Sequence, residues 1–223
     1  MRKGKNISVI IPTMNEEGNL QKVLDKIPKY VDEIVIVDGY SKDKTVDIAK
    51  KNKCKIVYDK YGKGSALIVG VKKAKGDYVI MMDADLSHRT IEFELLIEGL
   101  EAGYDFVFGS RFIQGGGSDD MPLLRILGNK FFVMLVNLIW RMKYSDLCYG
   151  YRAFKRGAFS KLKLKSKGFS IETEMSIRAA KKGMQVLEVP SFEKARFSGQ
   201  GKLRTFSDGY KILSKIIEEL FRG

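Results

Sequence analysis

Short apolar runs alternate with amphipathic stretches through the first half of the chain. Residues 7–11 (ISVII), 33–38 (EIVIVD), 54–59 (CKIVYD), 78–82 (YVIMM) and 105–110 (DFVFGS) have the length and composition of buried strands. The stretches between them read as helices. Leu20, Val23, Leu24 and Ile27 share one helical face, with Asn15 as the predicted N-cap and Glu16 and Glu17 in the first turn. Ser41 is placed to cap the next helix, Leu67, Val71 and Ala74 mark a third, and residues 91–100 a fourth. Strands separated by helices in this order predict an α/β fold with a doubly wound, mostly parallel sheet.

Beyond Arg111 the pattern changes. Residues 113–120 (IQGGGSDD) form a Gly-rich segment, either a surface connector or a mobile lid. Residues 123–142 read as a helix that is apolar nearly all round, flanked by Arg125, Lys130, Arg141 and Lys143. A strand is expected at 185–190 and a last amphipathic helix at 206–222. That helix carries Phe206, Tyr210, Leu213, Ile217 and Leu220 on one face. Core packing is the expected fate of the stripe; binding at a membrane interface is the alternative for both basic-flanked helices.

The bulk numbers narrow the class. A chain of 223 residues is long enough for one domain with a real core, and 44% hydrophobic content is that of a globular protein. A net charge of +13 raises an anionic partner: nucleic acid, an anionic membrane surface or a phosphate-bearing substrate. Scattered lysines on a solvated surface explain the same number. No RNP, helix-turn-helix or zinc-finger pattern supports nucleic acid. Cys54 and Cys148 lack metal-type spacing, and no disulfide is expected. The longest apolar run, residues 131–140, is interrupted by Asn137 and falls short of the roughly 20 residues a span needs. With no secretory signal visible, the expectation is a cytoplasmic protein that does not span a membrane.

Candidate chemistry gathers at strand ends. The run VIMM passes directly into Asp83-Ala84-Asp85. Ligands of open α/β sheets bind outside the carboxyl ends of the strands. Two carboxylates spaced one apart repel unless a cation lies between them, so a divalent metal is one reading and a solvated Asp-rich turn the other. Glu16 follows the first strand and Asp38 ends the second. Such acids hold a base or ribose by hydrogen bonds, or a metal that holds phosphates. Arg111, Arg152, Arg196 and Lys202 are available for the positive side of a diphosphate site. A P-loop is excluded, because Val57 stands where the first Gly belongs and Gly64 where Ser or Thr belongs. The dinucleotide fingerprint fails at Leu67.

The segments SVIIPTMNEEGNL, IVIVDGYSKDKT, GKGSAL, AKGDYVIMMDADLSH, FGSRF and DLCYGYRAFKR occur in this order. Together they resemble family-2 glycosyltransferases of GT-A fold, most closely the dolichyl-phosphate mannose synthase branch, over roughly residues 6–205. The resemblance implies a single catalytic domain over 1–223. About 6–112 would serve the nucleotide sugar and metal, about 113–205 the acceptor, and about 206–223 would be an amphipathic helix. It implies that Pro12, Asn15 and Glu16 frame the nucleotide and Asp38 lies at its base end. Lys63, Asp83 and Arg111 join them in binding the nucleotide sugar. Asp83 and Asp85 match the metal motif for Mg²⁺ or Mn²⁺, with Asp85 the principal ligand and Ser87 at a possible third position where relatives often carry Gln. Asp85 and Arg111 are the implied catalytic pair. Gly150-Tyr151-Arg152, Arg196 and Lys202 match the acceptor and phosphate side.

The chain departs from the pattern in places. Asp38 is followed by Gly39-Tyr40-Ser41 rather than a second Asp, and the adjacent Glu-Asp pair of hydroxyl-transferring relatives is absent, with Glu172 and Glu174 in the matching region. His88 is expected in a loop, either exposed or taking part in chemistry. No C-terminal membrane spans of the kind some lineages add are expected. The implied reaction is inverting, metal-dependent sugar transfer from a nucleotide diphosphate sugar to a polyprenyl phosphate, on a protein peripheral to the cytoplasmic face of the membrane. Transfer to a hydroxyl of a glycan or glycolipid is the alternative.

Overall fold

The computed structural model describes residues 4–119, 121–201 and 203–222. The elements run β1 (Ile7–Thr13), α1 (Leu20–Lys26), β2 (Glu33–Asp38), α2 (Thr45–Lys51), β3 (Lys55–Tyr58), α3 (Lys63–Lys73) and β4 (Tyr78–Met81). A 3₁₀ turn (Thr90–Glu92) leads into α4 (Phe93–Glu101), followed by β5 (Phe106–Ser110), β6 (Gly117–Ser118) and α5 (Leu123–Trp140). Then come β7 (Arg152–Lys155), α6 (Arg156–Leu162), α7 (Ile171–Lys181), β8 (Val186–Pro190), β9 (Phe192–Glu193) and α8 (Thr205–Phe221).

Seven strands form one sheet in the order β3-β2-β1-β4-β7-β5-β8, parallel except for β7. The inner strands are largely buried on both faces, so their alternate side chains enter two cores, while the edge strands β3 and β8 are only partly buried. Val79 and Met81 of β4 pack on the side of α3 and α7, while Tyr78 and Ile80 pack on the side of α1 and α4. Each fully buried aliphatic or aromatic side chain of this kind contributes about 1.5–3 kcal/mol. Strand β7 was not expected. Its four residues, RAFK, are too few to show a period, and two of them are basic. It lies antiparallel between β4 and β5, so the second half of the chain completes the sheet begun by the first.

Two caps are not formed as expected. Asn15 has φ 55°, and α1 begins only at Leu20. Ser41 precedes α2 by a loop, and its hydroxyl donates to Asp38 instead. The last helix reverses the expected burial. Its buried side is Asp208, Ile212, Ile216 and Glu219, while Phe206 is 80% exposed and Tyr210, Ile217 and Leu220 are also exposed. Buried acids disguise that side as a polar one. Glu219 is held by Arg178 at 2.6 and 2.9 Å, and Asp208 accepts the backbone N–H of Arg204. Helix α5 likewise buries only Asn129, Phe132 and Val136. Its 18 residues have a mean hydropathy of 1.5, long and apolar enough by composition to cross a membrane, yet the buried strip packs the helix along the protein surface.

Candidate active site

The strand order reverses at β1, whose neighbours are β2 and β4. The loops after these strands face one cavity of about 810 Å³. Two loops close one side of its floor. The Asn15 backbone N–H donates to Ser41 Oγ, and Asn15 Oδ1 accepts the N–H of Lys42. Asn15 thus brackets the loops after β1 and β2 rather than capping a helix. Asp38 is fully buried and accepts from Thr13 Oγ1 at 3.0 Å and from the N–H and Oγ of Ser41 at 2.8 and 2.6 Å. It shapes the turn from behind; Pro12, Gly39 and Asp59 form the cavity wall there.

The exit of β4 carries the two aspartates. Asp83 and Asp85 both line the cavity. Lys63, from the first turn of α3, places Nζ 2.8 Å from one Asp83 oxygen and 3.0 Å from the other. Burial pushes the Asp83 carboxyl up, but the Lys63 ammonium outweighs it and holds it below the usual carboxylate range. Lys63 responds in the opposite sense: burial disfavours its charge, and Asp83 and Glu172 more than restore it. Asp85 Oδ1 accepts the N–H and the hydroxyl of Ser87 at 3.1 and 2.6 Å, and its Oδ2 lies 3.0 Å from Arg196 Nη1. Ser87 therefore orients Asp85, with its hydroxyl proton committed to that carboxylate.

His88 is buried, not exposed in a loop. Its Nδ1 accepts the backbone N–H of Asp83 at 3.0 Å, and its ring stacks on Tyr151 with centroids 4.7 Å apart. Burial lowers its pKa from the ordinary imidazole value, so the ring is neutral at pH 7 with its proton on Nε2.

The predicted arginines take different places. Arg111 lines the cavity and forms a fork with Asp146, Nε to Oδ2 at 2.7 Å and Nη2 to Oδ1 at 3.0 Å, while Nη1 reaches Glu193 at 3.0 Å. Burial works against its charge, and Asp146 and Glu193 secure it. Arg196 also lines the cavity. It bridges Glu16 at 2.5 and 2.6 Å and Asp85 at 3.0 Å.

Arg152 is not an acceptor-facing group. It is 0% exposed, and its guanidinium donates to the carbonyls of Leu147, Tyr149 and Glu172 and to Ser176 Oγ. It also packs over the Phe108 ring. A strand residue whose side chain enters the core between β7 and α7 reaches no ligand; it ties the 147–150 loop to that helix. Lys202 lies outside the described residues.

Sequence reasoning missed Asp146 and Glu193. They lie 35 and 82 residues from Arg111, and nothing in their local sequence points to it. Among the described residues no group of three or more ligating side chains stands ready for a metal. The donor set nevertheless fits Mg²⁺ or Mn²⁺. It offers two hard carboxylates at the cavity wall, each now neutralised by a cation, and such ions typically take one or two carboxylates and complete their shell with water and substrate phosphates.

Residues 8–163 match the profile of Glycosyl transferase family 2, and the chain belongs to that family. It is 35% identical over 211 residues to the dolichol-phosphate mannosyltransferase of Pyrococcus furiosus, covering 89% of this chain and 59% of that protein. It is 32% identical over 193 residues to glycosyltransferase AglJ of Haloferax volcanii, covering 83% of this chain and 62% of that one. The chain thus spans about three-fifths of the length of these two relatives. Among solved structures, glucosyl-3-phosphoglycerate synthase from Mycobacterium tuberculosis in complex with Mn²⁺, UDP and glucosyl-3-phosphoglycerate superposes with a TM-score of 0.78 at 19% identity. The match covers 98% of this chain and 81% of that one. The same enzyme with Mg²⁺ and UDP gives 0.75 at 18% identity, covering 98% and 80%. These matches establish the GT-A fold expected from the sequence.

Proposed function

We propose that this protein transfers a sugar from a nucleotide diphosphate sugar to a polyprenyl phosphate, with Mg²⁺ or Mn²⁺, while resting on the cytoplasmic face of a membrane. The observation that carries this reading is the two-ended character of the cavity. One end is charged, with Asp83, Asp85, Lys63, Arg111 and Arg196. The other is built from α5 and α8 and mainly apolar, with Leu124, Phe131, Phe132, Phe206 and Leu213 beside Arg125 and Asp208. A phosphate on a long hydrocarbon chain matches both ends. The relationship to a dolichol-phosphate mannosyltransferase supports the same acceptor class.

In this reading Pro12 and Gly39 border the nucleotide, with Asn15 and Asp38 fixing the turns behind them. Asp83 and Asp85 hold the metal, which when bound supplies Lewis-acid stabilisation to the leaving diphosphate. Arg111, Lys63 and Arg196 are preset cations for the same developing charge. Arg111 needs no reorganisation, because Asp146 and Glu193 already fix its fork. An acceptor phosphate is anionic at neutral pH and attacks without a general base. One in-line displacement then inverts the anomeric carbon. A hydroxyl acceptor would need a base at the cavity. Glu174 serves elsewhere, accepting the N–H groups of Lys165 and Ser166 and pairing with Arg178. Glu172 lies behind Gly150, outside the cavity wall.

The membrane part of the reading rests on outward apolar residues of the same two helices. Leu123, Leu127 and Leu138 of α5 and Leu220 and Phe221 of α8 are all more than half exposed. A net charge of +13 favours an anionic surface. The donor half is tested by thermal shift with UDP- and GDP-sugars. The expected result is a rise in Tm with one nucleotide class that grows with Mn²⁺ and is lost in Asp85→Asn. A Tm indifferent to every nucleotide sugar, with and without Mn²⁺, would contradict it.

A further inference from the structure

Glu172 is a buried carboxylate that the reaction as described does not use. It is 2% exposed, and neither of its oxygens is hydrogen-bonded among the described residues. The charge that faces it is Lys63 Nζ, 3.3 Å away. The same ammonium is within 3.0 Å of both oxygens of Asp83. Gly150 permits this packing. A β-carbon there would come within 2.6 Å of Lys63 Nζ and 3.3 Å of Glu172 Oε1. The backbone that carries it is fixed, because Arg152 donates to the Glu172 backbone carbonyl at 2.9 Å. One lysine is thus held between a carboxylate on the cavity wall and a second one beneath it.

A divalent cation at Asp83 would face this ammonium at close range. An unpaired buried ammonium beside a metal is strongly disfavoured. Lysine restricted to Asp83 would compete with the metal for the same oxygens. A second carboxylate removes the conflict: the ammonium keeps a counter-charge after the metal takes Asp83.

We propose that Glu172 is a positioning residue that retains Lys63 as a charged group in the donor site while Asp83 is given over to a divalent cation. The inference rests on the proposed nucleotide-sugar and metal site and adds to it the group that lets metal and lysine coexist there. Lys63 then stays available to the leaving diphosphate beside the metal, and Glu172 acts through it.

The test is a double-mutant cycle read by Mn²⁺ affinity, measured calorimetrically in the presence of whichever of UDP or GDP the wild type binds. Glu172→Gln is expected to weaken Mn²⁺ binding by about 10-fold, the usual size of a loss behind a metal ligand. In the Lys63→Met background the same change is expected to have less than about a 2-fold effect, since no ammonium remains to compete. Equal weakening in both backgrounds would mean that Glu172 acts only as a distant negative charge and would overturn the proposal. So would unchanged affinity in both. If Glu172→Gln does not fold by circular dichroism, Glu172→Asp, which withdraws the charge by one methylene, is put through the same two backgrounds with the same criteria. A wild type that binds neither Mn²⁺ nor nucleotide overturns the donor-site reading itself; a wild type that binds both, with no coupling between the two positions, overturns this proposal alone.

Discussion

Arg196 Nη1 lies 3.0 Å from Asp85 Oδ2 although 111 residues separate them in the chain. The segment that carries Arg196 is tied down on both sides. The Phe197 N–H donates to the Asp85 carbonyl, and Asn19 Nδ2 donates to the Ser198 carbonyl. Arg196→Ala should therefore destabilise the metal-free protein by about 1–3 kcal/mol, the range for losing a charged hydrogen bond in a partly buried site. Urea unfolding with and without Mn²⁺ measures it. The deficit should shrink with Mn²⁺, because the metal then neutralises Asp85. A deficit of the same size in both conditions would contradict the pairing of Arg196 with a metal ligand.

Asp85→Asn removes a charge at a strand end without changing core volume. Transfer should fall by about 10²–10³-fold or more, the scale for losing a preset electrostatic contact. The circular dichroism spectrum should stay that of the wild type. EDTA should silence the wild type, and Mg²⁺ or Mn²⁺ should restore it. Activity that survives both treatments would remove Asp85 from the site.

Arg152 separates a structural role from a ligand-binding one. Arg152→Met leaves three carbonyls and a hydroxyl without their donor in a fully buried place. A loss of at least about 3 kcal/mol in urea unfolding is expected. Normal stability with a raised KM for the acceptor would instead return Arg152 to the phosphate side.

The exposed faces of α5 and α8 predict binding to anionic vesicles that weakens with salt. Leu127→Glu and Leu138→Glu each place a charge on an outward position, so both should reduce pelleting with vesicles and leave Tm within a few degrees of the wild type. Equal pelleting of variants and wild type at low salt would contradict the interfacial reading.

Much of this architecture was legible in the chain, for identifiable reasons. β1, β2, β4 and β5 are runs largely buried on both faces, and the partly exposed edge strands β3 and β8 still carry apolar residues, so all read as blocks at the right spacing. The aspartates at the end of β4 stood out because charge follows directly on such a block. What could not be read depends on distance along the chain or on concealed polarity. Asp146 and Glu193 reach Arg111 only through the fold. The buried side of α8 contains Asp208 and Glu219, whose partners Arg204 and Arg178 make their burial tolerable. Arg152 carries a phosphate-binding side chain on a strand that turns it into the core. His88 was legible as a residue of interest, but its hydrogen bond to the Asp83 N–H depends on the left-handed turn at Leu86, φ 68°.

In the proposed function a charged donor site and an apolar acceptor groove meet in one cavity. The most direct test incubates the protein and Mn²⁺ with a radiolabelled nucleotide sugar and either dolichyl phosphate or a hydroxyl-bearing glycolipid. Donors with guanine and uracil bases are tried in turn. The account predicts label extracted into organic solvent only with dolichyl phosphate, released by mild acid as expected of a glycosyl phosphate, and absent with Asp85→Asn. Label found only in an acid-stable glycoside of the hydroxyl acceptor would contradict it.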